Sequence, residues 1–385
     1  MNKLTSQNPI INQLEINFNH NQPIAAQLAD QLTWLIASKQ LKSGEKLPSV
    51  RDLAAHLDIN FHTVQAAYKI MEQASLVQIR RGLGAIVKEY RPTLIARNWP
   101  DLPTHTVGFI APDLSGPFYR AVYDGLQQVS NRCHFLLVSC GTCENPQIAR
   151  EQLGMLIAKR VDGLIIVSDY LPETDQGPVV QRALIDEENC PIPVVYIDRP
   201  DEADHSFVFD ARMAGYKATE HLINHGHQSV GLIINDREFP TFRECYQGFL
   251  EANQAYGIHV DKSQIEEVHS FSYEAGYVAT IELLNRGLTA TALFVSDDML
   301  AIGVIRALRD HNLRVPEDVA IIGMNNIDES RYSTPRITSI DTSANILGIK
   351  AMEEIVQRIN GAEPATRNFV AAVNLVVRES CGCKA

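Results

Sequence analysis

Residues 47–87 read LPSVRDLAAHLDINFHTVQAAYKIMEQASLVQIRRGLGAIV, and the order of local signals in that stretch decides the fold of the front of the chain. Ser49 stands at a capping position, with Asp52 three residues on. Leu53, Ala54 and Leu57 give the short helix behind it an apolar face. Asp58-Ile59-Asn60 is a polar turn. A second helix is predicted from about Phe61 to Gln73, because Val64, Ala67, Tyr68 and Met71 fall at i, i+3, i+4 and i+7. Its outer face then carries His62, Gln65, Ala66 and Lys69. Two short helices joined by about three residues form a helix-turn-helix pattern. Runs at Leu76–Arg80 and Ala85–Lys88 read as the strands of a hairpin, with Arg81-Gly82-Leu83-Gly84 as its tip.

Upstream, Ile24, Leu28, Leu32 and Leu35 repeat at helical spacing, Pro23 suits a first turn, and Gly44 ends the excursion. Downstream, RPTLIARNWPDLPTH (residues 91–105) holds three prolines and no period, as a linker does. The expected organisation is therefore a DNA-binding domain over 1–90, a linker over 91–105 and a larger domain over 106–385. A chain of 385 residues is long enough for more than one core. Charge divides along the same line. Residues 1–92 hold ten basic and seven acidic side chains, and the remainder 24 basic and 39 acidic. A mildly basic front on an acidic body fits local contact with DNA, with the body held away from it. The polar start MNKLTSQNPI lacks an apolar signal core, and the longest apolar runs, such as Gly163 to Val167, are too short to span a bilayer. The expected location is cytoplasmic, with no membrane partner.

From residue 106 strand-like and helix-like segments alternate. Strands are predicted at Val107–Ala111, Phe135–Ser139, Gly163–Val167 and Val194–Ile197. Helices are predicted near Tyr119–Asn131, Pro146–Arg160 and Pro178–Asn189. A second series has strands at Ser229–Ile234, Ile265–Val268, Ala292–Val295 and Val319–Gly323, with helices near Phe242–Tyr256, Tyr273–Arg286 and Met299–Asn312. Such alternation implies an α/β fold of parallel sheets covered by helices, and two series imply two lobes. Ligands of such sheets bind beyond the carboxyl ends of the strands. Polar and aromatic groups stand there: Asp113, Phe118 and Tyr119, then Asp198 and Arg199, Arg243, Ser296 and Asp297, and Asn325. For any one of them a helix cap or a surface ion pair is the plainer explanation. Their recurrence at successive strand ends favours a ligand cleft.

The seven cysteines include a Cys140/Cys143 CxxC and a Cys381/Cys383 CxC. Free thiols in a reducing compartment are the expected state, since no His lies near either pair in sequence to complete a zinc signature. No metal or cofactor is expected. No GxSxG, HExxH, Walker A or GxGxxG set is placed for catalysis, so no catalytic residues and no enzyme activity are expected.

Residues 41–87, LKSGEKLPSVRDLAAHLDINFHTVQAAYKIMEQASLVQIRRGLGAIV, resemble the winged helix-turn-helix of the GntR family. The resemblance implies DNA contact by Arg51, the basic residue after Pro-Ser. It puts the start of the recognition helix at Asn60-Phe61-His62-Thr63-Val64, where Phe61 and His62 depart from the usual pattern. With the outer face of the helix and the hairpin tip, the candidate DNA-binding residues are Arg51, Asn60, His62, Thr63, Gln65, Lys69, Arg80, Arg81, Gly82 and Gly84.

Residues from about Val107 to Gly382 resemble the periplasmic-binding-protein-like effector domain of the LacI/GalR regulators. The motifs are VGFIAPDLSGPFYRAVYDGL, VDGLIIV, YIDRP, HLINHGH, ALFVSDDMLAIGVIRAL, LRVPEDVAIIGMNN, TPRITSID and VVRESCG. The effector contacts this implies are Asp113, Phe118, Tyr119, Asp198, Arg243, Phe271, Ser296, Asp297 and Asn325. Ser296-Asp297 replaces a frequent Asn-Asp, and Asn325 stands where a hydroxyl-gripping carboxylate is usual. The combination is similar to arabinose-repressor-like regulators. It implies a homodimeric, cytoplasmic repressor of transcription that binds operator DNA under the control of a small molecule. A sugar is the expected effector. A nucleoside or purine, or a sugar phosphate, is the alternative, and a solute-binding protein is a rival of another class.

Overall fold

The computed structural model describes residues 14–18, 23–37, 40–80, 83–88, 104–143, 145–167, 173–174, 177–178, 192–198, 205–362 and 368–383. The chain divides into two compact units, Met1–His105 with Gln357–Glu363, and Thr106–Val356 with Pro364–Ala385.

In the first unit, helices α1 (Ile24–Ala37), α2 (Val50–Leu57) and α3 (Phe61–Gln73) precede a hairpin of β1 (Val77–Arg80) and β2 (Gly84–Val87). Ser49 caps α2, its hydroxyl accepting from the Asp52 N–H at 3.1 Å. Asp58 ends the helix in the left-handed region, and Asn60 caps α3 by accepting from the His62 N–H at 2.8 Å. Leu28, Leu32, Leu53, Val64, Ala67 and Met71 are buried together. The Tyr68 hydroxyl donates to the Pro48 carbonyl at 2.7 Å, fixing α3 against the segment before α2. The hairpin pairs Val77 with Val87 and Arg80 with Gly84. Residues 44–47 add a third strip, with the Leu47 N–H donating to the Ala85 carbonyl and Val87 N–H to that of Glu45, both at 2.9 Å. That strip was not predicted, since Gly44 to Leu47 carries no alternation to mark it.

The second unit has two six-stranded sheets. One holds β3 (Thr106–Ala111), β4 (Leu136–Gly141), β5 (Gly163–Val167), β8 (Val194–Ile197), β9 (Ser206–Phe209) and β15 (Asn368–Ala371), in the order β15-β9-β8-β5-β3-β4, all parallel. Helices α4 (Pro117–Cys133) and α5 (Pro146–Ala158) connect its strands. The short pair β6 (Glu173–Thr174) and β7 (Gly177–Pro178) is antiparallel. Pro178 therefore sits in a hairpin rather than at the start of the helix predicted over 178–189, and the rest of that segment lies outside the described residues.

The other sheet holds β10 (Val230–Asn235), β11 (Ile265–Val268), β12 (Ala292–Val295), β13 (Ala320–Met324), β14 (Thr338–Asp341) and β16 (Asn374–Val376), in the order β11-β10-β12-β13-β14-β16. Its strands are parallel except β16. Helices α6 (Ala211–Asn224), α7 (Pro240–Ala255), α8 (Tyr273–Asn285), α9 (Asp298–Asp310) and α10 (Asp328–Tyr332) belong to this lobe. Helix α11 (Ala344–Ile359) returns to the first lobe and packs on α4, where Gly125 faces the Asn345 carbonyl.

The lobes are thus not successive halves of the chain. The backbone passes between them three times, after β9, after β14 and between β15 and β16. The three passages are bonded to each other: the Asp210 N–H donates to the Ala371 carbonyl at 3.1 Å, and the Ser343 hydroxyl to the Ala372 carbonyl at 3.1 Å. Three crossings joined side by side are the kind of connection about which two lobes can rotate in register.

Candidate functional site

On the first unit, α3 presents one exposed polar face. Arg51, His62, Gln65 and Lys69 are exposed, and Thr63 is half-buried. The His62 ring lies on that of Phe61 with centroids 3.8 Å apart, which leaves Phe61 49% exposed at the head of the helix. Asn60 is committed through its side-chain oxygen to the cap. In the wing, the Arg80 guanidinium grips the Gln78 side-chain oxygen at 2.9 and 3.1 Å. Gly84 has a φ of +89°, and a side chain there would press on Lys46. Lys46 is a basic wing residue that sequence reasoning did not single out. Arg81 and Gly82 lie outside the described residues. A shallow depression of about 360 Å³ between α2 and the start of α3 is lined by Arg51, Asp58 and Phe61 among others.

On the second unit, the candidate ligand residues stand at the carboxyl ends of strands. Asp113 follows β3, is exposed, and accepts from the Ser115 N–H and hydroxyl, both at 2.8 Å. Phe118 in the first turn of α4 packs edge-on against Tyr119 and Phe209, with centroids 5.4 and 6.1 Å away. Asp198 follows β8 with φ +59°, and burial pushes its carboxyl up from the usual range. Thr241, on α7 of the other lobe, donates its hydroxyl to Asp198 at 2.6 Å. That bond brings the carboxyl ends of the two sheets against each other. Arg243 is exposed two residues further along α7, and Phe271 meets Phe242 at 5.7 Å. Arg199 lies outside the described residues.

Ser296, Asp297 and Asn325 form a connected group. Ser296 is buried and accepts from the Asn235 N–H at 3.0 Å. Asp297 caps α9, accepting from the Met299 N–H at 2.6 Å, and receives the Asn325 amide at 2.8 Å. Burial lifts its carboxyl to about 6, against the pull of these donors. The Asn325 side-chain oxygen accepts from the Thr342 hydroxyl at 3.1 Å. Both amide ends of Asn325 are therefore engaged by protein. Next to it, Asp298 is fully buried, accepts from the Ile327 N–H and the Ser339 hydroxyl, and is pushed well up by burial and by the Asp297 charge.

Asn235, Thr241 and Thr342 are members of this arrangement that the sequence reading missed. Asn235 is 2% exposed, and its side-chain nitrogen has no hydrogen-bond partner among the described residues. Its position as the last residue of an apolar strand, VGLIIN, was the available signal.

This is the architecture of a two-lobed sensor of small molecules carried behind a DNA-reading winged helix-turn-helix. Residues 24–87 match the family described as bacterial regulatory proteins, gntR family, and residues 219–381 match the periplasmic binding protein-like domain. The HTH-type transcriptional repressor PurR of Pasteurella multocida is 31% identical over 298 residues, which cover 76% of this chain and 85% of the relative. PurR of Serratia proteamaculans is 30% identical over 345 residues, covering 87% and 97%. Among solved structures, a LacI family transcriptional regulator from Enterococcus faecium with bound ribose matches at TM-score 0.63 and 27% identity, over 71% of this chain and 98% of its own. The lac repressor dimer bound to operator and the anti-inducer ONPF matches at TM-score 0.66 and 22% identity, over 76% and 99%, which speaks for the fold.

The chain belongs to the LacI/PurR family of helix-turn-helix transcriptional repressors, with a gntR-type reader in front. It is a DNA-binding regulator of transcription under allosteric control by a small molecule. Its relatives are regulators rather than enzymes. No helix among the described residues is long and apolar enough to cross a membrane.

Proposed function

We propose that the protein is a cytoplasmic, homodimeric repressor that releases or grips its operator according to a sugar bound between the lobes of residues 106–385. The reader is residues 1–90, joined through 91–105. Arg51, Asn60, His62, Thr63, Gln65, Lys69, Arg80, Arg81, Gly82 and Gly84 face DNA. Asp113, Phe118, Tyr119, Asp198, Arg243, Phe271, Ser296, Asp297 and Asn325 face the ligand, joined by Asn235.

The observation that carries this reading is the set of buried polar groups at the strand ends: the carboxyls of Asp198 and Asp297, bonded to protein but raised by burial, and the Asn235 side-chain nitrogen, which has no partner among the described residues. A buried polar group without a partner, as the Asn235 nitrogen is, destabilises a protein by about 1–3 kcal/mol, and a buried carboxylate is costly even when bonded. A molecule rich in hydroxyls that both donate and accept would relieve that penalty. The Phe118 and Phe271 rings would cover its apolar faces. Ligand would favour closure about the three crossings, and a differential affinity of about 1–3 kcal/mol between the two states would couple closure to the reader. Dimerism fits the lac repressor dimer seen on its operator. Two readers related by a two-fold axis match a near-palindrome with half-site centres about 34–36 Å apart, or a multiple of it.

The test is calorimetry with sugars, sugar phosphates and nucleosides on the full chain and on Asp198→Asn, followed by operator binding with each ligand found. A sugar bound by the parent at least ten-fold more tightly than by the variant, and shifting operator affinity, supports the proposal. A nucleoside bound in place of any sugar would overturn the sugar assignment. Ligand affinity unchanged in Asp198→Asn would overturn the pocket.

A further inference from the structure

At the end of the second lobe away from the crossings, three metal-ligating side chains meet that the regulatory reading does not use. His221 lies in the last turn of α6, and His225 is its carboxyl-terminal cap, so the two imidazoles sit one helical turn apart with ring centroids 4.2 Å from each other. Cys383 reaches them from 158 residues further along the chain. Its Sγ is 2.9 Å from His225 Nε2 and 3.2 Å from His221 Nε2. The three donor atoms lie within 4.8 Å of one another, the one such group of three among the described residues. The sequence alone points to free thiols here, because no histidine lies near the CxC along the chain. The fold supplies two from a helix instead.

We propose that His221 Nε2, His225 Nε2 and Cys383 Sγ bind a zinc ion.

Three features fit the group to an ion. The first is the tautomer. His225 Nδ1 lies 2.7 Å from the His221 carbonyl oxygen, which can only accept. The proton therefore sits on Nδ1 and the Nε2 lone pair points at the sulfur. A ligating histidine is typically oriented by donating its other N–H to such an acceptor. The second is preorganisation of the sulfur. The tail is fixed by the Ser380 hydroxyl, which donates to the Ile321 carbonyl at 2.7 Å and accepts from the Thr338 N–H at 2.8 Å. Gly382, at φ +83°, then turns the chain back so that Cys383 faces α6. The third is size and softness. Bonds of about 2.3 Å to sulfur and about 2.0–2.1 Å to nitrogen in a tetrahedron put S and N about 3.6 Å apart. The observed separations need to open by only about half an ångström. Two imidazoles and a thiolate suit zinc and exclude the hard cations magnesium and calcium. The Cys381 thiol also contacts His221 and Cys383, so a second sulfur stands beside the site.

The ion would fasten the carboxyl-terminal hook to α6. The site is distant from the ligand residues, because α6 runs from the crossing at Asp210 to the amino end of β10. Its test is therefore separate from that of the sugar pocket.

The full-length protein, stripped with a chelator, is titrated with zinc against a chromophoric competitor, and with cobalt(II) by absorption. The same measurements are made on His225→Ala, Cys383→Ser and the double variant, with operator binding checking that each folds. The expected results are one zinc per chain, at least 100-fold weaker binding in the double variant, a thiolate-to-cobalt charge-transfer band lost in Cys383→Ser, and a zinc-dependent rise in Tm in the parent alone. Equal zinc affinity in parent and double variant would overturn the proposal, as would a cobalt complex without the sulfur band.

Discussion

Replacing Asp297 by Asn is expected to make the protein more stable above pH 6 and a poorer binder of its ligand. Asp297 is 5% exposed, and burial raises its carboxyl from 3.8 to about 6. At about 1.4 kcal/mol per pH unit, this corresponds to about 3 kcal/mol against the ionised form in the folded protein. The folded state holds the proton more tightly than the unfolded chain. Stability from this group is therefore full below about pH 4, falls as pH rises towards 6, and is lost above it. An amide carries no charge to desolvate. Its oxygen can keep the cap on the Met299 N–H, and its nitrogen can face Asn325 once that amide turns over, since the Thr342 hydroxyl both donates and accepts. Imperfect geometry after the turn reduces the gain, so about 1–3 kcal/mol is expected at pH 7–8. Asp298 gains as well, because the Asp297 charge is one cause of its raised carboxyl. Denaturant unfolding of both proteins from pH 4 to pH 8 measures the difference, which should open between pH 4 and 6 and then level off. Calorimetry at pH 7.5 should show at least a ten-fold loss of ligand affinity. A stability difference flat across the whole range, or a variant less stable than the parent at pH 8, would refute the reasoning.

Gln65→Ala should relax base preference at one position of each half-site and weaken binding there by about 1–3 kcal/mol, read by binding to a panel of single-base operator variants. Arg51→Ala or Lys69→Ala should weaken binding to every sequence alike and reduce the slope of log K against log salt by about one, measured by titration at several salt concentrations. Gly248→Ala should destabilise the second lobe by about 2 kcal/mol or more, because the added carbon would stand 1.8 Å from the Arg212 carbonyl where α6 and α7 touch. Denaturant midpoints for that variant and its parent decide the last point.

The front of the chain was legible because its signals are local. The cap at Ser49, the turn at Asp58–Asn60 and the buried row Val64, Ala67, Tyr68 and Met71 all lie within two helical turns of what they determine. The parallel strands were legible as short apolar runs, and β5 and β12 fall on the predicted residues. The path between lobes was not. Helix α6 buries Ala211, Ala214, Gly215, Ala218 and Thr219, with Leu222 the one large side chain among them, a face with a faint hydrophobic period. It needs that face because α7 lies against it at backbone contact. Helix α11 does carry a readable row in Leu347, Ala351 and Ile355. Its return to the first lobe follows from the order of strands, which no period encodes. The same holds for Thr241 on Asp198 and for His221 beside Cys383, pairs made by the fold alone.

The amide at 325, where a carboxylate is usual in the family the sequence resembles, removes one charge from a crowded corner of the lobe. Asp297 and Asp298 are adjacent, both buried and both raised by burial. The cation that favours the charged form of Asp298 is Arg378, whose guanidinium also serves the Asn326 side chain and the Ile337 carbonyl. A carboxylate at 325 would stand 2.8 Å from an oxygen of Asp297, on the evidence of the bond now there. Two unit charges about 4 Å apart at an effective dielectric of 20 repel by about 4 kcal/mol, so the pair would have to share a proton or borrow a positive group from the ligand. Asn325 removes that conflict by donating to Asp297 instead. Asp297 stays buried and oriented by two donors, the Met299 N–H and the Asn325 amide. In the reading proposed above, the acid left to meet a ligand hydroxyl at this corner is Asp297, with Asn325 holding it in place.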